Sequence, residues 1–302
     1  MEMKAMMCRE EEASRECKHV YTKVLEMGDE NHDLFKKLPD GFKEKFTQEI
    51  LSRTSPADVM RLSLVSKSFR ASANSDVVWD TFIPPDHRRL ALQRNKTFDS
   101  SKRLFWYLCC TTELFWSDYP VSGQRCWLDK WSGKIILYID HKSLAITQLD
   151  TDYWKKSDNE PLLGHVIWLE VCGRIPTSRL SPGTTYEAYL VFFLSQYVCY
   201  GFHIPIETCV GIPGEESTKA IIHLDPRIAE SKSYHHYQKK YTSRELTIVD
   251  ADSIEVIEVK LGEYFNKKGE NRDVEITLKE VKSGRPKCGA RFIGIEMRPK
   301  QA

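Results

Sequence analysis

Several things are missing from this 302-residue chain, and each absence removes a class of protein. No run of apolar residues approaches the ~20 that a membrane-spanning helix needs. The opening stretch, MEMKAMMCREEEASRECKHV, carries acidic groups where a secretory leader requires an apolar segment. The expectation is a soluble chain of the cytoplasm or nucleus with no membrane partner, whose sequon Asn95-Lys96-Thr97 is never modified. Nine cysteines are present, an odd number, and no two stand at C-x-x-C spacing. Zinc modules close their tetrahedron with such paired thiolates, so no metal site is expected. A disulfide framework does not suit a chain this long, and the thiols read as small buried hydrophobes. The formal net charge is only +1, so no global field draws the chain to nucleic acid or an anionic membrane. Neither the phosphate-cradling G-x-x-x-x-G-K-[ST] nor the nucleophile turn G-x-S-x-G occurs. Carboxylates are abundant, but spacing marks no pair of them for acid-base work. Cys109-Cys110 lies in an aromatic apolar stretch, a setting in which a thiol is inert. The chain reads as a binding protein without catalytic residues or cofactor.

What is present falls into segments. Residues 1–37 are charged, of mixed sign, and read as a disordered or partly helical extension. From Leu38 to Ile83 the apolar period is helical: Phe42, Phe46, Ile50 and Leu51 share one helix. Ser55-Pro56 stops it and starts another, with Ser55 as cap and Pro56 at the first helical position. Val59, Leu62, Val65 and Phe69 then form a stripe at steps of three and four. Asn74-Ser75-Asp76 is a turn and cap ahead of Val77, Val78 and Trp79, and Pro84-Pro85 ends the segment. Residues 84–125 hold a polar linker or helix followed by an aromatic helix, Leu104–Phe115. After Gly133 the period becomes two, in Ile135–Ile139, His165–Val171, Tyr186–Leu194, Ile254–Leu261, Val274–Leu278 and Phe292–Glu296. Many short strands separated by turn signals predict a mostly antiparallel β-sandwich over residues 126–300, jelly-roll-like in architecture, behind a small helical bundle: an α+β multidomain chain. The stretch 231–244, SKSYHHYQKKYTSR, mixes basic and aromatic residues; we read it as a solvated loop rather than a grip on nucleic acid.

The stretch Ile50-Leu-Ser-Arg-Thr-Ser-Pro-Ala-Asp-Val-Met-Arg-Leu-Ser-Leu-Val-Ser-Lys-Ser-Phe-Arg70, followed by Asn74-Ser-Asp-Val-Val-Trp79, resembles an F-box. That resemblance implies docking on a Skp-type adaptor and, through it, on a cullin-type ubiquitin ligase. Ile50, Leu51, Pro56, Leu62, Leu64, Val65 and Phe69 would divide between internal core and adaptor contact, and Trp79 would anchor the third helix. So few residues cannot hide all these apolar groups among themselves, which also points to a partner. One departure is visible. Phe42-Lys43 occupies the place of the family's Leu-Pro pair, and Leu38-Pro39 stands about a turn earlier. Either the first helix is longer or one adaptor contact is altered.

The remainder resembles the plant phloem-protein-two-like, or Nictaba-type, lectin domain. The carrying stretches are Leu128–Lys134, Tyr153-Trp154, Val166–Ile175, Leu180–Phe192, Leu261–Phe265, Val274–Ile276 and Gly294–Lys300. In sugar-binding members, a loop after the first strand offers a Trp, a Gly-Asp-Thr turn and a Tyr-Trp pair. Here it reads Ile146-Thr-Gln-Leu-Asp-Thr-Asp-Tyr-Trp154. The resemblance makes Gln148, Asp150, Thr151, Tyr153 and Trp154 the candidate carbohydrate residues, for an N-glycan or N-acetylglucosamine oligomers. Gln148 replaces the Trp and Leu149 the Gly, so one stacking platform is missing, and Tyr153 and Trp154 are either the remaining platform or core packing. Taken together, the resemblances imply a substrate receptor of a ubiquitin ligase whose second domain recognises a protein or glycoprotein. The alternative they leave is a lectin with a vestigial F-box.

Overall fold

The computed structural model describes residues 40–93, 96–111, 123–156, 161–195, 198–225, 256–269 and 271–301. The readings made on residues 1–37, Leu38-Pro39 and 231–244 lie outside these. The chain divides into two compact units, one of residues 1–110 with 130–133 and one of the rest.

The first unit is helical. Helix α1 spans Asp40–Ser52, α2 Pro56–Leu62, α3 Lys67–Ala73, α4 Asp76–Asp80, α5 Pro85–Gln93 and α6 Ser101–Cys110. Ser55 caps α2 by accepting the Asp58 N–H at 3.1 Å, with Pro56 in the first turn as its missing donor permits. The stripe from Val59 to Phe69 is not one helix. Ser66 accepts the Phe69 N–H and starts α3, so the stripe is broken by a turn at residues 63–66. Nor does Pro84-Pro85 end the unit: Pro85 opens α5, and the bundle continues to Cys110. The segment boundary expected at residue 83 is therefore inside a compact body. The reason is Trp79. It is fully buried, donates its indole N–H to the Ala73 carbonyl at 2.7 Å, and packs on Phe82, Phe105 and Trp106. A ring this large needs α6 to cover it. Asp76 accepts the Ser101 N–H at 2.7 Å, and Asp80 takes Arg88 and the Ser101 hydroxyl, so α4 holds the start of α6 in place.

The second unit is a sandwich of two antiparallel sheets. One follows the order β1 (Gln124–Leu128), β2 (Ile135–Asp140), β12 (Ala290–Pro299), β5 (Pro161–Leu163), β4 (Trp154–Lys156), with β7 (Thr184–Leu194) also on β12 and β10 (Val256–Asn266) on β7. The other runs β3 (Ala145–Ile146), β6 (Leu169–Pro176), β11 (Asp273–Glu280), β8 (Ile206–Gly211), β9 (Thr218–Ile222). The alternating strands behave as their period requires. On β6 and β11, Leu169, Val171, Ile175, Val274, Ile276 and Leu278 enter the core, while Arg174 meets Glu275 and Lys279 meets Glu170 on the open face. β7 is buried almost throughout and lies between β10 and β12. Of the predicted strand His165–Val171 only the end is regular; residues before Leu169 make a single bridge, Val166 to Lys287. β8 and β9 were not read from the sequence.

Two devices hold the sandwich. The outer carbonyls of Leu261 and Glu263 on β10 each accept a threonine hydroxyl from the facing sheet, Thr208 and Thr218, both at 2.7 Å. At one corner the Tyr186 hydroxyl donates to the Ile135 carbonyl at 3.0 Å and accepts the Ser181 N–H at 2.8 Å, while Asn266 donates to the carbonyls of Thr177, Leu180 and Ser181. Burial pushes the Tyr186 phenol up to about 12, so it stays protonated and keeps donating. The stretch Leu180–Tyr186, prominent in the sequence, thus builds a corner rather than a site.

Candidate functional site

Two regions hold the residues singled out from the sequence, one in each unit. In the helical unit the named residues split. Leu51, Pro56 and Trp79 are buried and act as core, so they are removed from the candidate contact surface. Leu62 and Phe69 are half-buried. Ile50, Leu64 and Val65 are exposed, Leu64 at 76 %. Local structure explains why. In the turn joining α2 to α3, the N–H groups of Leu64 and Val65 are satisfied by the carbonyls of Arg61 and Leu62 at 3.1 and 3.0 Å. Their side chains have no helix face to lie on and stand out from the turn. The turn thus leaves an apolar pair exposed at its tip. Sequence reasoning did not separate Phe42 and Phe46 from the core, yet they are exposed at 55 % and 48 %. The helix is held instead by Thr47 and Leu51, whose burial fixes its inner face. Val77 is likewise exposed on α4. A helical period tells which residues share a face, not which face is covered.

In the sandwich the candidate loop joins β3 to β4. Gln148 has φ of +61°, and among the described residues no other non-glycine residue has a positive φ. The Thr151 N–H and hydroxyl both donate to the Gln148 carbonyl, at 3.1 and 2.6 Å, and the Trp154 N–H donates to the Thr151 carbonyl at 3.2 Å. The Thr151 hydroxyl is therefore spent on closing the turn. Leu149 tucks against the core, and Gln148, Asp150, Thr151 and Tyr153 face solvent.

Trp154 settles the choice left open by the sequence. It is 3 % exposed, belongs to the core, and its ring lies 6.1 Å from that of Phe292. It cannot offer a face to a sugar, and the reading of Trp154 as the surviving platform is corrected to core packing. The reason is strand alternation at the start of β4: Tyr153, 49 % exposed, and Trp154 point to opposite sides. Tyr153 alone remains as an aromatic face on this loop. Its carbonyl accepts the N–H groups of Gly164 and His165 at 2.9 and 3.1 Å, and the His165 ring meets the Tyr200 hydroxyl at 3.0 Å. Ile167, Trp168 and Tyr200 are also exposed and were not singled out from the sequence. Among the described residues, no group of three His, Cys, Asp or Glu side chains could hold a metal ion. No helix among them is long and apolar enough to cross a membrane.

Comparison with known proteins bears on both units. An F-box domain model matches residues 44–81, and a phloem protein 2 model matches residues 134–299. Similar curated proteins come from Arabidopsis thaliana. F-box protein PP2-B10 is 32 % identical over 271 residues, covering 86 % of this chain and 93 % of the relative. F-box protein PP2-B15 is 32 % identical over 277 residues, covering 83 % and 93 %. F-box protein PP2-B7 is 31 % identical over 261 residues, covering 83 % and 81 %.

Proposed function

We propose, since this chain belongs to the F-box proteins that carry a phloem protein 2 domain, that it is the substrate-receptor subunit of a Skp–cullin-type ubiquitin ligase. No enzymatic family is indicated for it, and in this reading it contributes proximity, not chemistry, in the cytoplasm or nucleus. The helical unit docks on the Skp-type adaptor and through it on the cullin. The phloem protein 2 unit holds a target protein or glycoprotein within reach of the ligase. The observation that carries the reading is the exposed apolar set Ile50, Leu64 and Val65 on a bundle whose own core is already filled by Leu51, Val59 and Trp79. Leu64 is mostly in solvent and Ile50 and Val65 partly so, and burial of that remaining surface in a partner would remove apolar area from water at about 25 cal/mol per Å².

The test is binding of the full chain to a Skp-type adaptor, followed by recovery of ubiquitinated partners when the proteasome is inhibited. Leu64→Asp places a charge at the most exposed apolar position of the turn, where water can hydrate it. The expected result is a well-folded variant that no longer co-purifies with the adaptor. Full-strength co-purification of that variant, with helicity unchanged by circular dichroism, refutes the assignment.

A further inference from the structure

The end of the sandwich beside Tyr153 carries an exposed face built from segments outside the regular strands. Val166 and Lys287 exchange both backbone hydrogen bonds, at 2.9 and 2.8 Å, and Tyr200 and Cys288 do the same at 3.1 and 3.0 Å. Residues 165–167, 286–288 and 198–200 therefore lie side by side as a short ladder, and its pleat sorts the side chains. Val166 and Lys287 point inward and are fully buried, while His165, Ile167, Val198 and Tyr200 point outward and are exposed. Tyr153 stands at the ladder's edge, its carbonyl holding the N–H groups of Gly164 and His165. The ladder is fixed from beneath. The Lys287 ammonium meets Glu280 and donates to the carbonyls of Ile167 and Arg285 at 3.0 and 3.1 Å. Gly201 and Gly289 have φ of +88° and +90°, and a Cβ on either would collide with the facing carbonyl, of Pro286 or of Val198, so glycine is what lets these segments approach so closely.

The polar atoms and charges of this face restrict what it holds. The ladder's amides and carbonyls bond one another, and the His165 ring and the Tyr200 hydroxyl bond each other at 3.0 Å. A sugar would give up water from its hydroxyls here and find few partners in return. The exposed charges of residues 150–153, 164–168, 198–201 and 285–289 are Asp150 and Asp152 against Arg285, an acidic excess that gives a polyanion no hold. Two tyrosine rings on either side of Ile167 suit burial against protein. We infer that this face is where the phloem protein 2 unit takes its target, and that the target offers an apolar protein segment with a basic residue alongside to meet Asp152. The inference rests on the substrate-receptor reading of the preceding subsection and adds to it the residues and the partner chemistry. It gives Tyr153, the exposed ring of the Gln148 loop, a role without sugar.

The experiment selects peptides from a random display library on the full-length chain, with counter-selection on Ile167→Asp to discard those that bind elsewhere. Survivors are synthesised, and their Kd is measured by calorimetry on wild type, Tyr153→Ala, Tyr200→Ala and Ile221→Asp, the last an exposed apolar residue of β9 outside the face. The expected peptides are apolar with a Lys or Arg to one side. Each tyrosine variant should weaken them about tenfold, and Ile221→Asp should leave them unchanged. Amide hydrogen exchange at residues 165–167, 198–201 and 286–288 should slow in the complex. If no peptide survives counter-selection, or if survivors bind both tyrosine variants as they bind wild type, the face is wrong. The substrate-receptor reading then still stands or falls on the adaptor binding and the ubiquitinated partners tested above. Survivors with no basic excess overturn the charge assigned to the target. A chitin oligomer that binds wild type and is lost with Tyr200→Ala makes the occupant a sugar and overturns the inference. A dimer in sedimentation that Ile167→Asp dissolves overturns it too, since the face then joins two copies of this chain. Circular dichroism and thermal melts separate lost binding from lost fold, and Tyr153→Ala, outside the ladder, tests the face even where Tyr200→Ala loosens it.

Discussion

His87, on α5, is fully buried, and its removal from water holds its pKa well below the usual 6.5, at about 4. Nearby Asp86 pulls the other way and does not offset the burial. The consequence for stability has a definite sign. Above pH 6.5 the imidazole is neutral in both folded and unfolded chains and contributes no pH dependence. As pH falls below 6.5 the unfolded chain takes up a proton that the folded chain refuses, so the folded state loses ground. The loss grows by about 1.4 kcal/mol per pH unit and levels off near pH 4, for a total of about 3 kcal/mol. That is a large share of the ~5–15 kcal/mol that holds a typical domain together. The perturbation is His87→Leu, which keeps an apolar side chain of similar bulk and removes the titration. Urea unfolding followed by tryptophan fluorescence between pH 7.5 and 4.5 gives the difference between wild type and variant, from which the carboxylates common to both cancel. The variant should gain on wild type steadily below pH 6.5, by more than 2 kcal/mol at pH 4.5. Parallel curves across this window would show that His87 is charged or solvated in the folded protein and refute the argument.

Four further outcomes are expected. Gln148→Gly relieves a left-handed conformation that costs an ordinary residue about 1–2 kcal/mol. Added chain freedom returns up to about 1 kcal/mol of that, so the net gain should be small but positive, whereas Gln148→Val should destabilise; the reverse order in urea melts contradicts the backbone reading. Trp154→Ala should cost about 3–5 kcal/mol of stability as a core truncation, while Tyr153→Ala leaves stability unchanged. With one ring left on the loop, calorimetry of the wild type with a chitin oligomer should give no measurable heat, and firm binding that survives Tyr153→Ala would place a sugar site elsewhere. Glu280→Gln strands the buried Lys287 ammonium, which otherwise meets Glu280 and the carbonyls of Ile167 and Arg285, and should cost about 3–5 kcal/mol. Adding Lys287→Met should recover part of that loss, and a double variant less stable than the single one would sink the explanation.

The sequence alone determined the class of this protein and its order of parts. Helical period over residues 42–69, the Ser55-Pro56 cap and the change to period two after Gly133 are local features, and local features survive as elements in the fold. The resemblance to the F-box and phloem-protein-two-like families rests on the same local residues, and the comparisons place the chain in that family. Burial was not legible in this way, because it depends on which surfaces meet. Leu51 and Ile50 are neighbours of equal hydrophobicity, and only packing on α3 and α4 puts one in the core and leaves the other in solvent. The compact body that holds the F-box match runs on past residue 81 to Cys110, because Trp79 packs on α6 through Phe105 and Trp106, 26 and 27 residues away along the chain. The same holds for the loop at Gln148. Its sequence offered Tyr153 and Trp154 as equals, and the pleat of β4 turned one outward and drew the other into the space beside Phe292. Spacing along the chain fixes which residues share a face; only the meeting of distant segments decides which face is closed to water.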